Sequence, residues 1–72
     1  MNAREGTVSS FDAPRGLGVV TDDEGHDYPF HCTAIVDGTR TIDPGTRVHF
    51  EIAPGLGRWE ATALEPAAAK SA

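Results

Sequence analysis

The sequence predicts an all-β fold, a five-stranded antiparallel barrel, and three observations carry that expectation. Short runs rich in β-branched and apolar residues recur between turn signals along the 72 residues. No segment of useful length repeats its apolar residues with the period of an amphipathic helix. Val48, Phe50 and Ile52 alternate with Arg47, His49 and Glu51, which gives one strand an apolar face and a polar one.

The first strand is expected over residues 6–11, Gly-Thr-Val-Ser-Ser-Phe. Asp12-Ala13-Pro14-Arg15 then reads as a turn, because Pro fixes φ and Asp bonds its local backbone. The second strand covers residues 16–21, and residues 22–25 turn the chain with Gly25 available for positive φ. The third covers residues 27–32. Pro29 within it has no N–H to give, so this strand belongs at a sheet edge or carries a bulge. Residues 33–41 make a longer connection, in which Ala34-Ile35 closes onto the core as a short 3₁₀ turn. The fourth strand covers residues 47–52 and the fifth residues 58–64, with a Pro- and Gly-rich loop between them. Residues 1–65 thus form the barrel, and residues 66–72 are expected to be a disordered tail, too short and Ala-rich to hold a helix. Closing five short strands into a barrel removes their unpaired edges. The pattern leaves OB-like and SH3-like barrels both open.

A chain this short buries only about 60% of its unfolded surface. It has little room for a deep catalytic cleft, so a binding module is the better expectation. One cysteine, Cys32, excludes an intramolecular disulfide and fits the reducing cytoplasm, the expected location. No apolar run approaches the roughly 20 residues of a membrane span, and the N-terminus has no apolar core of a secretory signal. The net charge is −5, with 11 acidic residues against 6 Lys and Arg. That balance counts against nucleic acid, whose phosphates are held by cations, although a local basic patch acts even on an acidic protein.

Asp22, Asp23, Glu24 and Asp27 surround Gly25 as a solvated loop, without the ligand spacing and closing Glu of a calcium loop. His26, His31 and Cys32 lack zinc-type pairing, so no metal or cofactor is expected. As neighbours on a strand, His31 and Cys32 are expected to point apart, which denies the thiol an activating base. No Ser-His-Asp order, phosphate loop or carboxylate pair stands out, and the chain is not expected to be an enzyme.

Five segments in order resemble a bacterial cold-shock domain over residues 4–64. Gly6-Thr7-Val8-Ser9-Ser10-Phe11-Asp12 is similar to the family's opening G-x-V-K-W-F-N. Gly16-Leu17-Gly18-Val19-Val20 is similar to G-F-G-F-I, and residues 27–35 are similar to D-V-F-V-H-F-S-A-I. Arg40-Thr41-Ile42 with Pro44-Gly45, and then Val48-His49-Phe50-Glu51-Ile52, resemble K-T-L, E-G and V-S-F-E-V. The resemblance implies an OB-type barrel whose second and third strands form a face for single-stranded DNA or RNA. It also implies a core of Val8, Val20, Ile35, Val48, Phe50, Ile52 and Leu64, with Tyr28 and Phe30 filling the interior.

Bases bind such a face by stacking on exposed rings, at about 1–3 kcal/mol each. Here the family's Lys-Trp is Ser9-Ser10, and its other rings are Leu17, Val19, Pro29, Cys32 and Thr39. Phe11 and His31 remain, with Arg15 in place of a Lys. Trp59 stands where the family has a Pro, beside the loop that borders the ligand groove of an OB-type barrel. It is read either as a replacement stacking surface, with Arg58 for phosphate, or as a rim residue packed over the barrel end. The expected function is weak or altered binding of single-stranded nucleic acid through Phe11, Arg15, Leu17, Val19, His31, Arg40 and Trp59. The alternative is a protein-interaction or self-associating module that uses Leu17, Val19, Pro29 and Cys32 as an apolar patch.

Overall fold

A computed structural model describes residues 3–36, 38, 41–55 and 57–67. Five strands are present: β1 (Ala3–Asp12), β2 (Leu17–Asp22), β3 (Asp27–His31), β4 (Arg47–Pro54) and β5 (Trp59–Pro66). They form one antiparallel sheet in the order β3-β2-β1-β4-β5. β1 joins its two halves, pairing with β4 through Ala3 to Thr7 and with β2 through Gly6 to Asp12. Ile35, just beyond β3, forms a parallel bridge to Leu64 of β5, and Val36 N–H donates to the Leu64 carbonyl at 2.9 Å. This bridge brings the two ends of the sheet together, as an OB-type barrel requires. Pro29 lies on β3, an end strand of the sheet, where a missing N–H is tolerated.

The barrel turns on a bulge in β1. Val8 pairs with Val20, but Ser10, not Ser9, pairs with Val19. Ser9 is the extra residue, and its hydroxyl donates to the Val19 carbonyl at 3.1 Å. A bulge bends its strand and changes which face later side chains occupy. It therefore turns both Val8 and Phe11, three positions apart, towards the interior. Phe11 then pairs with Gly18, which pairs with Phe30 on β3. The two rings stack across the glycine, with centroids 5.9 Å apart and planes 14° from parallel. A Cβ on Gly18 would stand 2.5 Å from the Phe30 ring and 2.8 Å from the Ser10 carbonyl oxygen. Only glycine lets the rings close over β2.

Val8, Val20, Phe30, Ile35, Val48, Phe50, Ile52, Ala61 and Leu64 are buried, and Phe11, Tyr28, Ala34 and Ile42 pack against them. Tyr28 and Phe30 thus do fill the interior, and Tyr28 meets Phe50 at 6.0 Å between centroids. Ala61 is the core residue that the sequence pattern did not mark.

Several expected boundaries shift: β1 already begins at Ala3, β2 spans Leu17–Asp22, and β4 continues to Pro54. β5 runs on to Pro66, which pairs with Val48, and Ala67 N–H donates to the Arg47 carbonyl at 2.9 Å. Pro66 and Ala67 therefore belong to the ordered sheet and not to a tail, and residues 68–72 lie outside the described residues. β3 ends at His31, and Cys32 opens a 3₁₀ turn, Cys32–Ala34, because the His31 side chain caps it by accepting from Thr33 N–H. The expectation that His31 and Cys32 point apart fails for the same reason: Cys32 has left the strand, and its Sγ is 3.8 Å from His31 Nδ1.

The β2–β3 turn is organised by one buried carboxylate. Asp22 Oδ1 accepts from the backbone N–H groups of Glu24 and His26, both at 2.9 Å. Next to it, Asp23 takes two hydrogen bonds from the Arg47 guanidinium, at 2.7 and 3.2 Å, which ties the turn to β4. The His26 N–H, aided by Glu24 N–H and the nearby imidazole, holds the Asp22 carboxyl below the usual aspartate range despite its burial. Hydrogen bonding from Arg47, with its charge, does the same for Asp23.

Replacing Gly18 by Val should overpack the Phe11–Phe30 row and cost about 1–3 kcal/mol, read as a lower urea midpoint. Acid should unfold the protein through the turn carboxylates. A depressed folded-state pKa gives stability that is complete above the unfolded value of about 3.9 and is lost as pH falls through the folded values. The melting temperature should hold across neutral pH, fall below about pH 4, and fall less steeply there in Asp22→Asn than in the native chain.

Candidate nucleic-acid interface

The pleat and the bulge together decide which side chains share the outer face of β1, β2 and β3. Two cross-strand rows form it. Asp12, Leu17 and His31 make one, and Ser10, Val19 and Pro29 make the next. Leu17 is 47% exposed. The structure thus brings Leu17, Val19 and His31 together, as the sequence suggests. Phe11 is on the opposite face of the sheet, stacked on Phe30, and reaches the surface only at one edge, in a 340 Å³ cleft shared with Leu17, Val19 and Pro29.

His31 is oriented by the turn it caps. Its Nδ1 lies 3.0 Å from Thr33 Oγ1 and accepts from Thr33 N–H at 3.3 Å. The ring is fixed by one edge, so its opposite edge and its faces are what a ligand would meet. Arg15 sits in the β1–β2 turn with Nε 3.6 Å from Asp12 Oδ2, an exposed pair that partly neutralises it. Arg40 lies outside the described residues.

Trp59 opens β5 opposite Pro54 and is 52% exposed. With Arg58 it lines a 540 Å³ cleft that Tyr28 and Pro29 of β3 and His26 of the β2–β3 turn also line. Pro29 also borders the Phe11 cleft and a smaller one, of 200 Å³, that contains Leu17, His31 and Glu60. These hollows adjoin through Pro29 and form one surface from Trp59 to Leu17. Tyr28 and Glu60 are the members that sequence reasoning missed. The alternation of β3 marks Tyr28 as a core residue, and it is one whose edge remains accessible. Glu60 simply follows Trp59 in sequence, and its side chain fills the space beside Gly55.

The surface is not basic. Asp12, Asp27 and Glu60 border it against Arg15 and Arg58, and Asp27 accepts from Thr21 Oγ1 at 2.7 Å. Of the apolar patch, Leu17, Val19 and Pro29 occupy adjacent rows. Cys32 is half-buried past the end of β3, where its N–H donates to the Gly16 carbonyl at 2.7 Å. Gly16 has φ of 68°, and a Cβ there would stand 2.9 Å from the thiol sulfur. No helix among the described residues is long and apolar enough to cross a membrane.

The model of the 'Cold-shock' DNA-binding domain family matches residues 4–67, which includes the extension of β5. Cold shock protein 2 of Lactiplantibacillus plantarum is 36% identical over 64 residues, which cover 88% of this chain and 97% of that protein. A cold shock-like protein of Thermotoga maritima is 43% identical over 51 residues, 69% of this chain and 77% of the relative. Among solved structures, Drosophila Unr CSD456 superposes with a TM-score of 0.78 at 25% identity, covering 97% of this chain and 29% of that longer one. Cold-shock domains bind single-stranded nucleic acid and are not enzymes. With its fold, the order of its motifs and the whole sheet matched, this chain belongs to the cold-shock domain family.

Proposed function

We propose that this protein binds single-stranded RNA or DNA across the outer face of β2 and β3, with its main stacking surface moved to the rim at Trp59. The observation that carries this reading is the 540 Å³ cleft in which Trp59 and Arg58 face Tyr28 and Pro29, next to Leu17 and His31. A base stacked on Trp59 puts its phosphate within reach of Arg58. His31 offers a second ring, Leu17 and Val19 offer apolar contact, and the accessible edge of Phe11 closes the far end. Arg15 and Arg40 are further phosphate contacts in this reading, Arg40 on the family resemblance alone. The cytoplasm is the proposed location.

Affinity should be low compared with ring-rich members. Each missing stack removes about 1–3 kcal/mol, and the acids along the surface oppose a polyanion. One tryptophan restores one stack. A competing reading is self-association through Leu17, Val19 and Pro29, favoured by the exposure of Leu17 on a face with little positive charge. Sedimentation at varied concentration separates the two: a concentration-dependent dimer that Leu17→Ser dissolves supports the competitor.

Titration with heptathymidine and a mixed-sequence RNA at low salt should show saturable binding. Trp59→Ala should weaken it about five- to a hundredfold, the equivalent of one stack. With two or three phosphate contacts, log K should fall with log salt at a slope of about −1.4 to −2. No binding at submillimolar protein, or binding indifferent to both Trp59→Ala and His31→Ala, would overturn the proposal. Removing acid from the surface is the converse test. Glu60→Gln and Asp12→Asn should each tighten binding several-fold at low salt, and the gain should fade as salt screens the charges.

A further inference from the structure

The β2–β3 turn gathers a second set of side chains, apart from the sheet face. Asp22, Glu24 and His26 alternate along the turn, and their donor atoms all lie within 4.8 Å of one another. His26 Nδ1 is 3.5 Å from Asp22 Oδ2 and 3.9 Å from Glu24 Oε1. Acidic turns are common without a ligand, but Asp22 is not an ordinary turn residue. Its side chain is only 3% exposed. Oδ1 is committed to the Glu24 and His26 N–H groups, whereas Oδ2 is shut off from solvent, accepts no hydrogen bond, and faces the imidazole nitrogen. A buried carboxylate oxygen without a donor is costly. A cation shared with the neighbouring nitrogen and the second carboxylate would supply its partner.

We propose that Asp22 Oδ2, one Glu24 carboxylate oxygen and His26 Nδ1 form a binding site for a divalent transition-metal cation such as zinc. One imidazole with two carboxylates is a borderline donor set. It suits zinc or its neighbours better than calcium, which takes six to eight oxygens. Ligand atoms held about 2.0–2.2 Å from a tetrahedral metal stand about 3.3–3.6 Å from each other. The Asp22–His26 spacing already meets this, and exposed Glu24 needs only a rotamer change. Water completes the shell.

A 120 Å³ pocket beside the turn is lined by Arg4 together with Glu5, Asp22, Asp23 and Glu24. Arg47 engages Glu5 and Asp23, so Asp22 and Glu24 are the acids left facing the site. His26 also lines the Trp59 cleft.

Zinc titration of the full chain at neutral pH tests this, followed by calorimetry and by amide shifts. One equivalent should bind, with shifts centred on residues 22–27 and a raised melting temperature. Glu24 and His26 are exposed, so Glu24→Gln and His26→Ala should keep the native spectrum elsewhere while each weakens binding about tenfold or more. Three outcomes overturn the proposal. These are no heat or shifts at millimolar zinc, binding unchanged in His26→Ala, or shifts centred on His31 and Cys32 that Cys32→Ser removes.

Discussion

The stacking of Phe11 on Phe30 across Gly18 is the contact on which the rest of this barrel depends. It joins three strands in one row. Gly18 supplies the missing Cβ, β3 supplies one ring, and the bulge at Ser9 turns the other ring inwards. The bulge also marks where β1 passes from its pairing with β4 to its pairing with β2 alone. There Val8 donates to the Thr46 carbonyl and accepts from Gly45 N–H. One irregularity in one strand thus sets both the curvature of the sheet and the composition of its two faces.

The outer face follows from that row. With Phe11 and Phe30 turned inwards, the face above them is left with Ser10, Leu17, Val19, Pro29 and His31. Most of these side chains have no ring, so the centre of the sheet offers apolar contact but little π surface. Aromatic capacity lies at the rim, where Trp59 of β5 stands across a cleft from Tyr28 and Pro29. Asp12, Asp27 and Glu60 lie along the same surface, and Asp22, Asp23 and Glu24 in the β2–β3 turn. The architecture is the one its motifs suggest.

That turn has a structural role whatever it binds. Asp22 closes it from within by holding two backbone N–H groups, and Asp23 fastens it to β4 through Arg47. Two neighbouring acids in a run that reads as solvated loop thus do different work. Alternation along β2 sends Asp22 inwards and leaves Asp23, the next residue, outside. A run of charge in the sequence carries no mark of which member is buried.

Alternation in residues 47–52 and the spacing of turn residues determined five strands and their order, and the resemblance carried by the ordered motifs implied most of the core. These signals are local: pleat and turn chemistry act over a few residues. Side-chain direction past an irregularity is not local, because it depends on which residue of the partner strand is opposite. Only the tertiary structure decided that Ser9 is extra and that Phe11 faces inwards. It likewise decided that Cys32 leaves the strand to sit beside His31, and that Pro66 and Ala67 complete the sheet. The same holds for Trp59, which is remote in sequence from Tyr28 and lines one cleft with it. Sequence fixes what each strand can present, and the register between strands decides where it is presented.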